Sequence, residues 1–587
     1  MKNLTNIITI FLLLITPLCI NLQAEDSIVN RNVNVEREYK PVIQDVGKIN
    51  SLPNLLEPNI EKTAAKYSEF NLPLSVDYNL HTLSSIQPAS NKNKNKNAGY
   101  ARLGFGNPLN TLANFAYPIV TQSDSKLDFS LNHLATFENK TLSNTKASLL
   151  FNKNFSAFDL YAGMSGGHEY FKYYGNNFND SANHSNIKGL VGDPSANFTE
   201  KNREGLNKNR AKLDLNTFLK DSTNTFWRLN AYAGFKSAPS TKGLRYNAEL
   251  EYKLLNTKNE TNEHLIHTLG RFSIPNHNNR MGLDIDLYNL AYQSKSPSLL
   301  NFESGYSIFS INPYYGIERE NWKVRLGAKS SFPIANGKTA SPSADINGEW
   351  KALPKYLSLY GGISGGYAIN TMNDILTENR YLLSELRVED TYTPVNLFAG
   401  FKLKPLYNLM LDAYIDYRKV KSQYFFVNKS YSTTTILKSD SNLYTNRFNV
   451  IYSDASVLKL GLRANYNLHG WLNIQAKAAY NSWNVNTEPY AWNKPVWEGD
   501  MSTNIQITKE INISASAYYE VGRHAKLGNL SMAMKNKMDI NLGGSYSFNN
   551  WISSFIKINN LLNTKNQYFY GYEVQGINVM VGAAFSF

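Results

Sequence analysis

Leu458-Lys459-Leu460-Gly461-Leu462-Arg463-Ala464-Asn465-Tyr466-Asn467-Leu468 sets a dry face against a wet one with a period of two. Leu458, Leu460, Leu462, Ala464 and Tyr466 share one side of an extended chain, and Lys459, Gly461, Arg463, Asn465 and Asn467 share the other. A strand that crosses lipid shows this pattern over about ten residues, apolar outward and water-tolerant inward. Lys459 and Arg463 turned toward lipid would cost roughly 2–4 kcal/mol each near the midplane. The pattern therefore sends them to a wet interior. By the same parity Lys323, Arg325, Lys329, Lys477, Asp284, Asp286, Asp412, Asp416 and Asp539 face inward, giving a lumen of mixed sign.

The pattern recurs along the chain. Ile577, Val579, Val581, Ala583, Phe585 and Phe587 oppose Gly576, Asn578, Gly582 and Ser586 in the last strand, and Ile540, Leu542, Tyr546 and Phe548 oppose Asp539, Asn541, Ser545 and Ser547. A soluble β-sandwich also buries one face of each strand, but it rarely sustains the alternation over some twenty segments of one chain. The fold predicted is an all-β, large antiparallel transmembrane β-barrel.

Counting back from a periplasmic Phe587, short turns fall near Asn549-Asn550, Thr508-Lys509, His469-Gly470, Lys404-Pro405, Leu353-Pro354 and Arg319-Glu320. The loops around 561–575, 521–536, 482–498, 428–445 and 368–393 are longer, as expected for the outer side. The scheme requires 446–467 to be one long strand with a bulge near Asp454-Ala455-Ser456. Counting forward over 23 candidate segments, the parity fails between 172 and 245. An internal echo bears on this gap. Tyr161-Ala-Gly-Met-Ser-Gly-Gly167 resembles Tyr360-Gly-Gly-Ile-Ser-Gly-Gly366, and Asn230-Ala-Tyr-Ala-Gly-Phe-Lys236 resembles Asn396-Leu-Phe-Ala-Gly-Phe-Lys402. The first pair stands 33 residues further apart. Either one strand hides in 172–207, giving 22 to 24 strands, or Gly-rich strands resemble one another by chance.

Residues 1–24 carry Lys2, an apolar run from Ile7 to Ile15, and Ala24 before Glu25, the layout of a signal peptide cut after Ala24. Thr16 and Leu18 argue against a lipoprotein signal at Cys19. Cys19 is the only cysteine, so after that cleavage neither disulfides nor thiolate metal sites hold the fold. Beyond the signal no apolar run of about 18 residues encodes a transmembrane helix. The 38 Tyr, 29 Phe and 8 Trp supply interfacial aromatics, and a mean hydropathy of -0.39 is too polar for a helical membrane protein. The net charge of +13 would suggest nucleic acid in a soluble protein. For an exported one it points to basic groups in the lumen and in loops facing anionic outer-membrane lipid and lipopolysaccharide.

At the C-terminus, Asn560-Leu561-Leu562-Asn563, then Tyr568, Gly571-Tyr572 and Gly576 before an aromatic-ended strand resemble the closing hairpin of TonB-dependent receptors. Phe448 to Gly461 is similar to a late barrel strand of that family. Gln575 and Ile577 depart from it, standing where the family usually has Pro and Arg. The resemblance covers about the last 150 residues well, and it implies that Phe585 and Phe587 are the insertion signal read by the barrel-assembly machinery.

The other end departs further, because such receptors carry a globular plug of roughly 130 residues. Only residues 25–97 precede the barrel of 98–587. They hold Pro41, Pro53, Pro58, Pro73 and Pro88 and end in the Asn/Lys linker Asn91 to Asn97, which reads as a solvated, irregular segment without a full plug. Within it Val33, Val35, Arg37 and Tyr39 lie on one face of an extended stretch that is suited to a periplasmic partner's sheet edge or resembles a TonB-contacting segment. The alternative is a tail that winds into the lumen and partly fills it.

No catalytic motif is present, and the chain reads as no enzyme and as needing no cofactor. His264 and His267, three apart, fall on opposite strand faces and share no metal. Aromatic clusters are more suggestive. Tyr170, Phe171, Tyr173 and Tyr174 introduce one outer loop, Tyr424, Phe425 and Phe426 another, and Trp483, Tyr490, Trp492 and Trp497 surround a third. They are candidate contacts for sugars or a surface partner, or else strand extensions and the outer aromatic belt. Two functions fit: a plugless TonB-dependent-receptor-like transporter or channel, and a non-conducting barrel that scaffolds an outer-membrane complex.

Overall fold

The computed structural model describes residues 99–138, 140–175, 223–258, 261–294, 305–334, 340–383, 386, 388–432, 442–468 and 470–587, without the side chains of 294, 430–432 and 442–445. In chain order the strands are β1 (Tyr100–Asn107), β2 (Asn110–Thr121), β3 (Ser125–Thr136), β4 (Leu142–Asn154), β5 (Phe158–Lys172), β6 (Thr223–Ser237), β7 (Arg245–Thr257), β8 (Thr261–Asn276) and β9 (Asn279–Ser294). Next come β10 (Gly305–Glu318), β11 (Trp322–Ile334), β12 (Ser341–Leu353), β13 (Leu357–Ala368), helix α1 (Met372–Glu378), β14 (Thr391–Leu406), β15 (Leu409–Ser432), β16 (Asn442–Leu468), β17 (Leu472–Val485) and β18 (Trp497–Gln506). The last are β19 (Ile511–Val521), β20 (His524–Leu527), β21 (Leu530–Ala533), β22 (Lys537–Ser547), β23 (Ile552–Asn559), β24 (Gln567–Phe569), β25 (Tyr572–Glu573) and β26 (Asn578–Ser586).

Each wall strand pairs antiparallel with its neighbours, and β26 closes on β1 from Tyr100↔Ser586 to Asn107↔Val579. The barrel has 22 strands. The hairpins β20–β21 and β24–β25 stand outside that wall, in loops at one rim. The turns 277–278, 319–321, 407–408 and 548–551 lie at the opposite rim. The additional wall strand expected in 172–207 is not there. That stretch lies mostly outside the described residues, but β5 and β6 pair directly, from Phe158↔Ser237 to Lys172↔Thr223, so nothing is inserted between them. An even count restores the parity that failed there.

The internal echo has a structural basis. Tyr161 pairs with Gly234 across β5–β6, and Tyr360 pairs with Gly400 across β13–β14, so the two Gly-rich hairpins share one register. Their spacing differs because the connecting loops differ in length. In both, an inward tyrosine ring lies over a glycine that has no side chain to resist it. Tyr314 over Gly282 and Tyr414 over Gly461 repeat the device. A Cβ at Gly400 would stand 2.5 Å from the Tyr360 hydroxyl and 2.7 Å from the Ala413 carbonyl. Gly400→Val is expected to destabilise the barrel by about 1–3 kcal/mol through overpacking. The check is the temperature at which the folded gel band converts to the unfolded one; an unchanged midpoint would mean that Tyr360 simply swings away.

Alternation sorts the side chains as lipid requires. On β26 and just beyond it Val579, Val581, Phe585 and Phe587 are exposed outward, while Asn578, Met580 and Ala584 are buried inside. Leu462, Ile415, Phe401, Leu359 and Ile346 continue the outward apolar band. Trp322, Trp350, Tyr407, Trp471 and Trp551 ring the short-turn edge, and Trp227, Trp497 and Tyr519 lie near the other. Between Trp497 and Gln506 a strand tilted by roughly 40° rises about 25 Å, the height of an outer-membrane apolar band. A closed antiparallel barrel with such a band between aromatic belts is an outer-membrane protein.

Inside, the charges pair with one another. Arg325 sits 2.8 Å from both Asp284 and Asp345, and Arg271 bonds Asp286 at 2.9 Å. Arg463 reaches Asp412 at 3.3 Å, Lys459 reaches Glu498 at 2.7 Å, and Arg418 bonds Asp416 at 2.6 Å. The inward parity read from Lys459 and Arg463 holds across the wall. The long strand and its irregularity hold too, with the extra residue on the partner: β16 runs from Asn442 to Leu468, and the register shifts between Val420 and Gln423 of β15, opposite Asp454. Ser422, at φ 53, donates its N–H to Asp454 Oδ1 at 3.0 Å.

Candidate functional site in the barrel mouth

At the long-loop rim the segment 369–390, between β13 and β14, folds into the barrel mouth. Thr371 caps α1 by accepting the Asp374 N–H at 3.0 Å, which starts a helix in a stretch otherwise free of helical periodicity. Met372, Ile375 and Leu376 then fall on one face and are buried to 1% exposure or less. Each such burial stabilises by about 1.5–3 kcal/mol before the entropy of ordering the loop is counted. The helix ends at Asn379, whose N–H bonds Ile375.

The apolar face meets two sectors of wall and one loop hairpin. Phe171, Phe226, Leu255, Leu265 and Leu290 come from consecutive strands β5 to β9. Phe426 of β15 and Phe448 and Val450 of β16 come from a distant arc, and Phe569 and Tyr572 come from the β24–β25 hairpin. Tyr381 stacks on Tyr572 at 3.6 Å between centroids, and Tyr174 sets its edge against both. Burial pushes the phenols of Tyr381 and Tyr572 up, so both stay neutral. One cluster of side chains therefore crosses the mouth.

Buried charges fix its register. Glu169 of β5 lies 2.5 Å from Arg228 of β6 and 2.5 Å from Arg380 of the loop. Burial alone would favour a neutral Arg380, but the Glu169 carboxylate more than reverses this and holds its pKa above the ordinary value. Arg228 also donates to Asn373 Oδ1 at 2.8 Å. The Glu263 carboxylate of β8 accepts the N–H groups of Met372 and Asn373. Glu378 pairs with Lys494 at 2.8 Å, both side chains at most 4% exposed, and accepts the Tyr424 hydroxyl. Beyond α1 the chain adds to β16, with Leu383 N–H on the Phe448 carbonyl at 3.0 Å and Phe448 N–H on the Tyr381 carbonyl at 3.0 Å. At the stem, Asp390 accepts from Tyr306, Tyr367 and the Asn370 N–H. A cleft of about 730 Å³ flanks the segment, lined by Leu383, Glu389, Val450, Tyr452, Asp454 and Thr487.

The aromatic residues singled out in the sequence divide between two environments. Phe171, Tyr173 and Phe426 are buried in the mouth cluster, with Tyr174 and Tyr424 packed against it, whereas Tyr170, between the inward Glu169 and Phe171 of β5, takes the opposite face of the wall and is half-buried. Phe425 and Trp492 are buried in a second cluster, on which Trp483 packs. Tyr490 and Trp497 remain exposed, Tyr490 stacked on His524 at 3.9 Å. Val33, Val35, Arg37 and Tyr39 lie outside the described residues. His264 bonds Tyr252 and His267 bonds Asp286, sharing no partner. Among the described residues no group of three or more His, Cys, Asp or Glu could hold a metal ion. The charged residues that hold the loop, Glu169, Glu263, Glu378 and Arg380, were not singled out in the sequence. Thr371-Met372-Asn373-Asp374, a cap followed three residues on by an acid, is the one local signal that would have marked α1.

No family model and no curated protein matches the chain. Its structure is similar to the siderophore receptor PirA from Acinetobacter baumannii, with a TM-score of 0.58 and 11% identity over 84% of this chain and 81% of that one. It is also similar to a mutant of the ferric enterobactin receptor PfeA from Pseudomonas aeruginosa, with a TM-score of 0.57 and 12% identity over 83% and 80%. The FrpB iron transporter from Neisseria meningitidis gives 0.57 and 10% identity over 84% and 83%. At these identities the likeness is one of fold. The barrel shares its fold with these receptors and this transporter.

Proposed function

We propose that this outer-membrane barrel is a receptor-type transporter without a full plug, which takes a ligand at the cell surface and passes it through a lumen closed at rest by its own loops. The observation that carries the reading is the apolar cluster across the mouth, set above a wall of paired charges that suits a wet passage. What passes from the similar receptors to this chain is the route through the barrel; the mouth, and not their cargo, defines the ligand here. Exposed Tyr490 offers a surface contact, and Val33, Val35, Arg37 and Tyr39 offer a strand to a periplasmic partner.

A closed mouth also favours a second reading, the scaffold in an outer-membrane complex. Planar bilayers and gentle purification separate the two. The full chain is expected to be silent at rest, and to stay silent when residues 25–97 are deleted, because the closure is made by loop 369–390. A steady large conductance of the full chain would overturn the closed mouth. A stoichiometric membrane partner in every gentle preparation would overturn the transporter in favour of the scaffold.

A further inference from the structure

Residues 371–383 are held by the kinds of contact that hold a bound peptide. Their apolar side fills a groove of wall residues, their arginine finds a buried carboxylate, and two of their N–H groups are received by a second carboxylate. Their C-terminal end adds to β16 by backbone hydrogen bonds. Amphipathic seating in a groove and strand addition are two recurring ways of recognising a peptide. The receiving groups Glu169, Glu263 and Phe448 belong to β5, β8 and β16, wall strands that pair with their neighbours in the wall and not with β24–β25 or α1. Ala368 and Thr391 are register partners at its stem, so the loop can be cut out and the ends joined without moving β13 or β14.

We infer that the barrel mouth is a peptide-binding site which residues 371–383 occupy in cis, and that in trans it takes a peptide of the same chemistry. That chemistry is a short apolar helical turn followed by an arginine four residues after its last apolar side chain, and then by an aromatic residue, as in Leu376, Arg380 and Tyr381. The segment is an internal competitor for such a partner.

The test replaces residues 370–389 by a short Gly/Ser turn and uses a fluorescent peptide of residues 369–383 as the probe. The shortened barrel is expected to bind it saturably in an anisotropy titration and to conduct until the peptide blocks it. Arg380→Ala in the peptide, or Glu169→Gln in the barrel, is expected to weaken binding at least tenfold. Binding no tighter than that of a scrambled peptide, or equal binding by the Arg380→Ala peptide, would overturn the site. If the shortened barrel fails to fold, the full chain carrying Arg380→Ala serves, since it loosens the occupant and leaves the wall intact. It should bind the wild-type peptide at least tenfold tighter than the parent chain does, and equal binding would overturn the proposal. Anisotropy reads the site without any transport, so a barrel that conducts yet binds no peptide sinks this inference alone.

Discussion

A Glu169→Ala variant is expected to lose its closed mouth while keeping its barrel. Glu169 is the one carboxylate shared by Arg228 of the wall and Arg380 of the loop, and its side chain is 7% exposed. Removing it leaves two guanidinium groups facing each other under an apolar cluster. Breaking a buried pair in this way costs about 3–5 kcal/mol, because the remaining charge is neither solvated nor compensated. At about 1.4 kcal/mol per decade, that shifts an equilibrium by two to three and a half orders of magnitude. The strand ladder uses only the backbone of Glu169, so the loss falls on loop 369–390 as a local opening. Conductance steps in bilayers and new proteolytic cleavage within the loop are the readouts, with the folded gel band unchanged. Silent bilayers together with an uncut loop would show that the apolar face holds the loop without its charges. Glu169→Gln, which keeps hydrogen-bond acceptance but not the charge, is expected to fall between.

The barrel was legible because its rule is local and repeated. Leu458 to Leu468 states it in eleven residues: any strand in lipid must alternate, and a misplaced Lys459 or Arg463 is costly enough to forbid the opposite register. The bulge was legible in place but not in strand. Alternation marks where two strands lose step, here at Asp454, but not which one carries the extra residue. That residue lies in Lys421-Ser422, where Ser422 takes a positive φ. Strand number between 172 and 245 failed for a different reason. Most of the 33-residue surplus in the echo lies in the connection between β5 and β6, which is longer than the one between β13 and β14, and the length of a connection leaves no periodic trace.

The closed mouth was largely illegible because its contacts are not periodic and join distant residues. Glu169 meets Arg380, Glu263 meets the start of α1, and Glu378 meets Lys494, each pair separated by more than a hundred residues. Nothing local distinguishes Phe171 or Phe426 in a filled mouth from an aromatic residue offered to a partner. The same side chains serve either purpose, and only the loop that covers them decides. The alternation did carry one clue: β15 and β16, at 24 and 27 residues, are far longer than a bilayer needs, so their upper halves had to pack on something.

The largest effect is expected at the seam. All 22 strands depend on β26 meeting β1, and Phe587 lies at the last point of that contact: Gly99 and Phe587 exchange backbone hydrogen bonds at 2.5 and 3.0 Å. The Phe587 ring stacks on Tyr117 at 6.2 Å and fills the space over Gly99, where a Cβ would come within 2.4 Å of it. Deleting residues 585–587 removes this exchange together with the pairs Ala101↔Phe585 and Tyr100↔Ser586. It leaves unpaired backbone groups at a lipid-facing edge, each costing several kcal/mol. No heat-modifiable form should survive. Phe587→Ala keeps every backbone bond and loses only an outward ring, so refolding from urea into detergent should still yield the barrel. If Phe585 and Phe587 also serve as the signal read by the assembly machinery, as we propose, the same variant will fail to assemble in cells while refolding in the tube. Equal yields of Phe587→Ala in cells and in detergent would reduce Phe587 to a seam residue and remove the signal.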